Sequence, residues 1–427
     1  EDIPACAALL SDLGVEPLRR MRRGGPVVIA GGAGVSANPL PVAAIVDAVA
    51  LGEGEAVIDP LARILDEHAG NREEALEALA GEPGIYLPGA PGRPFVPVPV
   101  DAARAAQRFQ HSCVVAREAA FPGAFLVEIS RGCPGACAFC LATVLYRPFR
   151  TMPLQRFESL IDSLPPQVDS VGLVSTAAAA HPDIVEILDL LGRKGLRAGV
   201  SSLRAEDIDE RTAAALKRAG IRSAALAPES GSERLRMRLG KRVADEVFLE
   251  AGRLLAGAGV RRLSLYLLAG APGEDEADLE ETVRFVGRFA AASAGARIVA
   301  HLNPLVPKPG TPLQFMAMSE PAVLAGRAAL LAARLRPLGV AVSAKGIRGA
   351  VRQAQLSMGD EPAGEAAARY AAGGTSWRRA LIDSGVDPGA VFRERGLEEA
   401  LPWETFASPR RRNNLLERYR AACGSEP

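Results

Sequence analysis

Three cysteines, Cys133, Cys137 and Cys140, fall within the stretch VEISRGCPGACAFCLATVLYRP, residues 127–148. Their spacing is C-x3-C-x2-C, directly after an apolar, β-rich run. Thiolates are ligands for soft metals. A structural zinc site wants four donors, usually as two pairs on separate knuckles. No fourth Cys or His lies closer than Cys113, twenty residues upstream. A cluster of four irons normally takes four cysteines. Three leave one iron open to another ligand, as a catalytic cluster requires. A zinc knuckle or an accidental trio is the plain alternative.

The elements around the trio supply its setting. Apolar β-runs occur at 124–130, 170–175, 197–203, 221–229, 261–270 and 296–307, with amphipathic helical stretches such as IVEILDLLGRKG and RTAAALKRAG between them. Strands alternating with helices predict a parallel sheet with right-handed crossovers. Six units suit an incomplete (β/α)6 barrel, since a complete eight-unit barrel takes about 250 residues. The cysteines then follow the C-terminal end of the first strand, on the face where such barrels carry their chemistry. Upstream, PVVIAGG and VDAVALGEGEAV read as two strands ending in glycine-rich turns, part of a Rossmann-like α/β unit. The division predicted is 1–75 for that unit, 76–120 for a Pro/Gly-rich linker, 121–318 for the barrel and 319–427 for a mainly helical extension.

This pattern resembles the radical S-adenosylmethionine (radical SAM) superfamily. The likeness extends through RGCPGACAFCLATVLYRPFR, VGLVSTAAAAHPDI, VSSLRAEDI, LAPESGSERLR, LYLLAGAPGEDEADLEE and NPLVPKPGTPLQF, in that order. These segments look like those of the branch with an N-terminal cobalamin-binding-like domain, and GGAGVSANPLPVAAIVDAVALGEGEAV resembles the end of that domain. FRERGLEEALPWETF is similar to the C-terminal part of a largely uncharacterised subgroup.

The resemblance implies that Cys133, Cys137 and Cys140 hold a [4Fe-4S] cluster whose open iron chelates the amino and carboxylate groups of SAM. One-electron reduction then yields methionine and a 5′-deoxyadenosyl radical. An external donor of the flavodoxin or ferredoxin type would supply the electron. Phe139 takes the position usually near the adenine, or is buried in the core. The usual Gly-Gly-Glu-like stretch after the second strand is replaced here by Ser175-Thr176-Ala177, so hydroxyls or carbonyls must meet the SAM amino group. Relatives carry an acidic residue before His181-Pro182, where this chain has Ala180. Ser201, Ser202 and Arg204 suit the ribose and the methionine carboxylate, because arginine binds carboxylates bidentately. An ordinary salt bridge is the alternative for Arg204. Glu229 can accept from ribose hydroxyls or the SAM ammonium, or else serve as a helix N-terminal charge. Gly270 and Gly273 let backbone approach a flat adenine, or form a plain turn. Asn303 faces adenine or substrate.

The four histidines lie outside the D-x-H-x-x-G pattern that gives cobalt a ligand in many cobalamin domains. The N-terminal unit is therefore either degenerate, capping the barrel without cofactor, or a holder of cobalamin without a histidine. The functions in play are a radical SAM enzyme of unidentified substrate, a cobalamin-dependent radical SAM methyltransferase acting on an unactivated carbon or phosphorus, and a non-catalytic iron–sulfur interaction module. Methylthio transfer is disfavoured, since only Cys6 and Cys113 precede the trio.

Lys+Arg and Asp+Glu number 50 each. Such a balance creates no global field toward nucleic acid or anionic lipid. The run Arg410–Arg411–Arg412 is a solvated helix face or, alternatively, a phosphate contact for tRNA. No apolar run reaches the roughly 18 residues of a membrane span, no signal peptide opens the chain, and the cysteines do not form a disulfide framework. These features predict a cytoplasmic protein. The chain opens EDIPACAALL without a Met, so residue 1 need not be the native start.

Overall fold

The computed structural model describes residues 2–89, 109–406 and 409–424. The barrel strands form where apolar side chains alternate or run together. In β4 (Ala124–Glu128), Phe125 and Val127 are buried and their neighbours only partly so. That period of two is what a sheet with one core face selects. β4 pairs in parallel with β7 (Ser170–Val174), and β7 with β8 (Arg197–Val200). A second parallel set joins β9 (Ser223–Glu229), β10 (Arg262–Ala269) and β11 (Arg297–Pro304). Leu203, just beyond β8, bridges Leu226 in parallel and donates its N–H to the Ala225 carbonyl at 2.9 Å. The two sets therefore form one curved row, the expected partial barrel.

A seventh strand extends it. β12 (Ala341–Ala344) pairs in parallel with β11, and the helix Pro321–Leu335 makes the crossover. The sequence reading assigned six strands and placed this segment in the helical extension. Four small residues, none of them buried, leave no apolar run to read. At the other edge, residues 110–112 run antiparallel to β4, with Glu128 donating to the Gln110 carbonyl and Ser112 to that of Leu126, each at 2.9 Å.

The helices bury one stripe each against the outer face. Ile184, Ile187, Leu188 and Leu191 of the helix Ile184–Arg193 recur at helical spacing and are all buried. That stripe is the apolar face a surface helix turns to its core. They join Val127, Val171, Leu226, Leu265, Phe285 and Phe289 in a continuous core.

The N-terminal unit has three strands: β1 (Ile29–Gly31) parallel to β2 (Ala48–Ala50), and β3 (Ile85–Tyr86) antiparallel to β2. The unit thus runs past residue 75, through the helix Arg72–Leu79 and β3. The Pro- and Gly-rich composition of residues 81–100 hid a two-residue strand. Residues 90–108 of the predicted linker lie outside the described residues.

The C-terminal extension is mainly helical and touches both other units. Its helix Glu361–Ala371 packs on the N-terminal helices, where Gly364 lies so close to the Pro41 carbonyl that any Cβ would collide. Arg19 pairs with Glu361 at 2.7 Å and Arg20 with Glu365 at 2.9 Å. The C-terminal helix Pro409–Cys423 buries Leu415, Tyr419 and Ala422 with Leu235, Phe315 and Trp403.

Candidate active site

The cysteine loop has little regular structure of its own, so its shape comes from contacts. Its ends are clamped by β5 (Ser130–Arg131), antiparallel to β6 (Arg150–Thr151). Between them Gly132 takes φ +83°, and a Cβ there would strike the Tyr146 carbonyl oxygen. Only glycine meets both conditions without strain. Further along, Ala138 donates its N–H to the Leu239 carbonyl at 2.8 Å. Arg418 of the C-terminal helix donates to the Ala136 carbonyl at 2.8 Å, and Arg147 to that of Gly135 at 3.1 Å. Thr143 donates to the Cys140 carbonyl at 2.8 Å. Gly240, at φ +75°, leaves room for the Ala136 carbonyl to approach.

Held this way, Cys133, Cys137 and Cys140 line one cavity of about 850 Å³ at the C-terminal mouth of the strands. Burial pushes the Cys137 thiol up to about 12, while nearby Lys241 opposes the rise. A metal bound there would have to displace that proton, as thiolate ligation does generally. The wall carries five basic residues, Arg204, Arg238, Lys241, Arg242 and Arg418, against two carboxylates, Glu206 and Glu229. Arg204 Nη1 lies 4.0 Å from Cys133 Sγ. A cationic wall around three convergent thiols fits a cluster whose ligands are thiolates.

The other residues singled out from sequence divide into those the cavity collects and those it does not. Phe139, Ser202, Arg204 and Glu229 line it. Arg204 also makes the ordinary salt bridges of the alternative reading, to Glu206 at 2.5 Å and Asp207 at 3.3 Å. Glu229 does not cap the following helix. Ser232 does that, accepting from Leu235 N–H at 3.4 Å. Glu229 instead takes φ +68°, the one non-glycine residue with positive φ among the described residues. Its carboxylate is 3.8 Å from Lys241, and both side chains are nearly buried. Burial raises the Glu229 carboxyl to about 7, against the pull of Lys241 and Lys308. A strained backbone and a perturbed acid in one cleft make Glu229 a candidate functional position.

Ser175 lies elsewhere. Its hydroxyl is bonded to Ser130 and accepts from Ala177 N–H, and it lines the neighbouring cavity. Thr176 lines both. Ser201 donates to the Ser175 carbonyl at 2.6 Å. Gly270 and Gly273 shape a turn in which Glu274 accepts from Gly270 N–H at 2.7 Å and pairs with Arg327 at 2.7 Å. They do not line the cysteine cavity, and the plain-turn reading describes them. Asn303 lines a separate cavity of about 230 Å³ with Lys308 and Lys345, and Phe139 forms a wall common to both spaces. His181 is a core residue, bonded to the Met152 carbonyl at 2.9 Å.

Lys241, Arg238 and Arg418 were not found from sequence. The Gly240-Lys241 turn gave a signal only in hindsight, through the glycine. Arg418 sits almost three hundred residues from the loop it touches, and no local pattern announces it.

A third cavity, of about 420 Å³, lies between the N-terminal unit and the barrel. Gly32, Gly52 and Gly54 form part of its wall, and a Cβ on any of them would meet open space. Across it, Arg131 bonds Glu55 at 2.6 Å, Glu128 at 2.7 Å and Glu53 at 2.9 Å, while Arg150 also holds Glu53. The Gly-Glu-Gly-Glu turn is thereby fastened to the strand that leads into Cys133. Among the described residues no histidine lines this space.

Comparison with known proteins follows the same division. A model of the radical SAM superfamily matches residues 127–286, and one described as "Radical SAM proteins, N-terminal" matches residues 4–88. Uncharacterized protein MJ0966 of Methanocaldococcus jannaschii is 28% identical over 301 residues, covering 70% of this chain and 64% of that protein. A ribosomal protein uS12 methylthiotransferase, RimO, from Anaeromyxobacter is 29% identical over 232 residues, covering 51% of this chain and 48% of that one. The chain thus spans under two thirds of the length of these relatives. Among solved structures, the radical SAM methyltransferase TsrM of Kitasatospora setae shares the fold, with a TM-score of 0.56 at 18% identity over 73% of this chain and 60% of its own. Two family models in succession along one chain, the second opening at the strand that delivers the cysteine trio, identify the protein as a member of the radical SAM superfamily.

Proposed function

We propose that this chain is a radical SAM enzyme whose Cys133, Cys137 and Cys140 hold a [4Fe-4S] cluster and whose adjoining cavity takes SAM. The observation that carries this is the convergence of the three thiols with Arg204, Ser202 and Glu229 on one cavity. When bound, the cluster and SAM together supply reductive cleavage to a 5′-deoxyadenosyl radical. The chain's own residues bind and orient. Arg204 offers a fork to the methionine carboxylate. Glu229, once ionised, accepts from the SAM ammonium or ribose. Phe139 presents its ring where the thiol cavity meets the Asn303 cavity, which suits an adenine. Thr176 and Ser202 supply the hydroxyls, and Arg418 closes the cavity from the C-terminal side. An external one-electron donor of the flavodoxin or ferredoxin type completes the system. No helix among the described residues is long and apolar enough to cross a membrane, which agrees with a cytoplasmic setting.

Anaerobic reconstitution tests the proposal. About four irons and four sulfides per chain are expected, with a broad absorption near 400 nm lost in Cys137→Ala. With dithionite and SAM, 5′-deoxyadenosine should appear. One zinc per chain in place of iron overturns the reading.

The interdomain cavity favours a second reading, cobalamin-dependent radical methyl transfer. TsrM, which shares this fold, has been solved with cobalamin and a [4Fe-4S] cluster bound. The glycine edge at Gly32, Gly52 and Gly54 suits the flat face of a corrin, and the lining offers no imidazole to its cobalt. A corrin here would be held without histidine. Corrinoid content of freshly purified protein, together with S-adenosylhomocysteine release, decides between the two.

A further inference from the structure

The run Arg410–Arg411–Arg412 was expected to be a solvated face or a phosphate contact. The structure uses its members differently. Arg412 is fully engaged: it pairs with Glu404, donates to the carbonyls of Leu397 and Glu399 at 2.6 and 2.9 Å, and lies 5.6 Å over the Phe315 ring. It is a structural residue. The side chain of Arg410 lies outside the described residues.

Arg411 is the exception. It lines a cavity of about 230 Å³ where all three units meet: Ser36 and Ala37 from the N-terminal unit, Gly310 and Gln314 from the turn after β11, and Trp403 and Leu415 from the extension. Among the described residues its one polar contact is a long one, Nη2 to the Gly310 carbonyl at 3.5 Å. Among the described residues no carboxylate pairs with it. Burial alone pushes its guanidinium down, with no acid to oppose the effect. An arginine cannot escape by losing its proton as a lysine can, so an unpaired one in a cavity calls for an anion.

The other polar groups of the wall are already committed. Gln314 Oε1 accepts from Gly310 N–H at 2.8 Å and Trp403 Nε1 at 2.9 Å, and its amide donates to Glu404 at 3.2 Å. Glu404 is held by Arg412 and by Leu401 N–H. Ser36 Oγ accepts from Gly52 N–H at 3.0 Å, and among the described residues its hydroxyl proton has no acceptor. Two donors are thus open, the Arg411 guanidinium and the Ser36 hydroxyl. Two arginines against Glu404 leave the wall with one net positive charge. The remaining surface comes from Trp403, Phe406, Ala37 and Leu415.

We propose that this cavity is a binding site for a small monoanionic carboxylate carrying a flat apolar body. Arg411 takes the carboxylate through its planar fork, Ser36 donates a further hydrogen bond, and the body lies against Trp403 and Phe406. A single negative charge balances the wall. A phosphate dianion would set two charges beside Glu404 and would overbalance it. The site is separate from the thiol cavity: Arg411 and Arg418 stand seven residues apart on one helix, about 10 Å along its axis.

Trp403 reports on the site directly, since the chain has two tryptophans. In the anaerobically reconstituted full chain carrying Trp377→Phe, benzoate and phenylacetate should change Trp403 emission saturably. Arg411→Gln should weaken that binding at least tenfold, and Arg411→Lys by less. Benzamide and inorganic phosphate should not bind. Arg411→Gln should also raise the Tm of the ligand-free protein, whereas loss of a structural arginine would lower it. If Arg411→Gln fails to reach full iron content, Ala37→Leu, which fills the cavity and keeps the arginine, must abolish binding. The proposal is overturned if neither carboxylate binds saturably, if binding survives both Arg411→Gln and Ala37→Leu, or if phosphate binds in preference.

Discussion

Glu229→Gln isolates the cost of the buried acid beside the thiols. The carboxyl stands at about 7 in the folded chain against an ordinary 4.5, raised by burial. Folded protein therefore keeps a proton that the unfolded chain has already released between those two values. Below pH 4.5 both states hold it and the group has no effect on stability. As pH rises through the window the folded state loses ground, and above 7 the penalty is complete. At 1.36 kcal/mol per pH unit, the interval amounts to about 3 kcal/mol. Glutamine keeps the shape and the positive φ, so backbone strain cancels between the two proteins. Urea unfolding of cluster-free wild type and Glu229→Gln, from pH 4.5 to 8, measures the difference. The variant should be the more stable by about 3 kcal/mol at pH 8, with the gap closing toward pH 4.5. A gap that is independent of pH, or one that widens toward acid, refutes the argument that this carboxyl is held neutral by burial. The cost persists above pH 7 because Lys241, at 3.8 Å, only partly compensates the charge. A cationic ligand bound there would offset more of it.

Gly132→Ala combines left-handed backbone with a collision against Tyr146, a loss of about 3 kcal/mol; the iron content of the reconstituted variant should fall with it, and full iron loading would contradict the role given to the loop entry. Arg236 is fully buried, pairs with Asp245 and donates to the carbonyls of Ser230 and Val243 at 2.9 and 3.0 Å. Arg236→Met leaves Asp245 to Arg288 alone and strips the buried Ser230 and Val243 carbonyls of their donor, so chemical denaturation should show a loss of about 3 kcal/mol. Arg131→Ala leaves Glu53, Glu55 and Glu128 facing one another. Stability should drop by about 3 kcal/mol and amide exchange at residues 52–55 should accelerate; unchanged exchange there would mean the turn is held by something else.

Much of the barrel was legible because its code is local. Apolar strands of four to eight residues, each followed by a helix with a single buried stripe, leave one parallel arrangement. The cysteine trio was legible because spacing within eight residues is itself the signal. What failed to show was of a different kind. β12 is held by its ladder to β11 and not by an apolar pattern, so its sequence reads as nothing in particular. Ser175 is the right residue type at the end of the right strand, yet Ser130 and Ala177 use up its hydroxyl and turn it to the neighbouring cavity. Gly270 and Gly273 carry the conformation a ligand loop needs, but Glu274 and Arg327 spend that freedom on a turn. The basic run at 410–412 looked uniform. A cage of carbonyls and a carboxylate around Arg412, against a single long carbonyl contact for Arg411 among the described residues, separates two adjacent arginines that composition cannot tell apart.

The cysteine loop shows why a strong local signal still needs the whole chain. Between Gly132 and the short helix Ala142–Leu145 its backbone makes few bonds within itself, and its partners come from three directions. The barrel offers the Leu239 carbonyl and the space above Gly240. The extension offers Arg418. The N-terminal unit acts from behind, through Glu53 and Glu55 on Arg131, two residues before the first cysteine. A loop ordered only by such contacts takes a single shape because fixing its backbone costs about 1–2 kcal/mol per residue, and only tertiary contacts are there to offset it. The N-terminal unit and the C-terminal helix therefore belong to the thiol site in the physical sense, whatever else each one binds. A change in the interdomain cavity that moves Glu53 reaches Cys133 through one guanidinium.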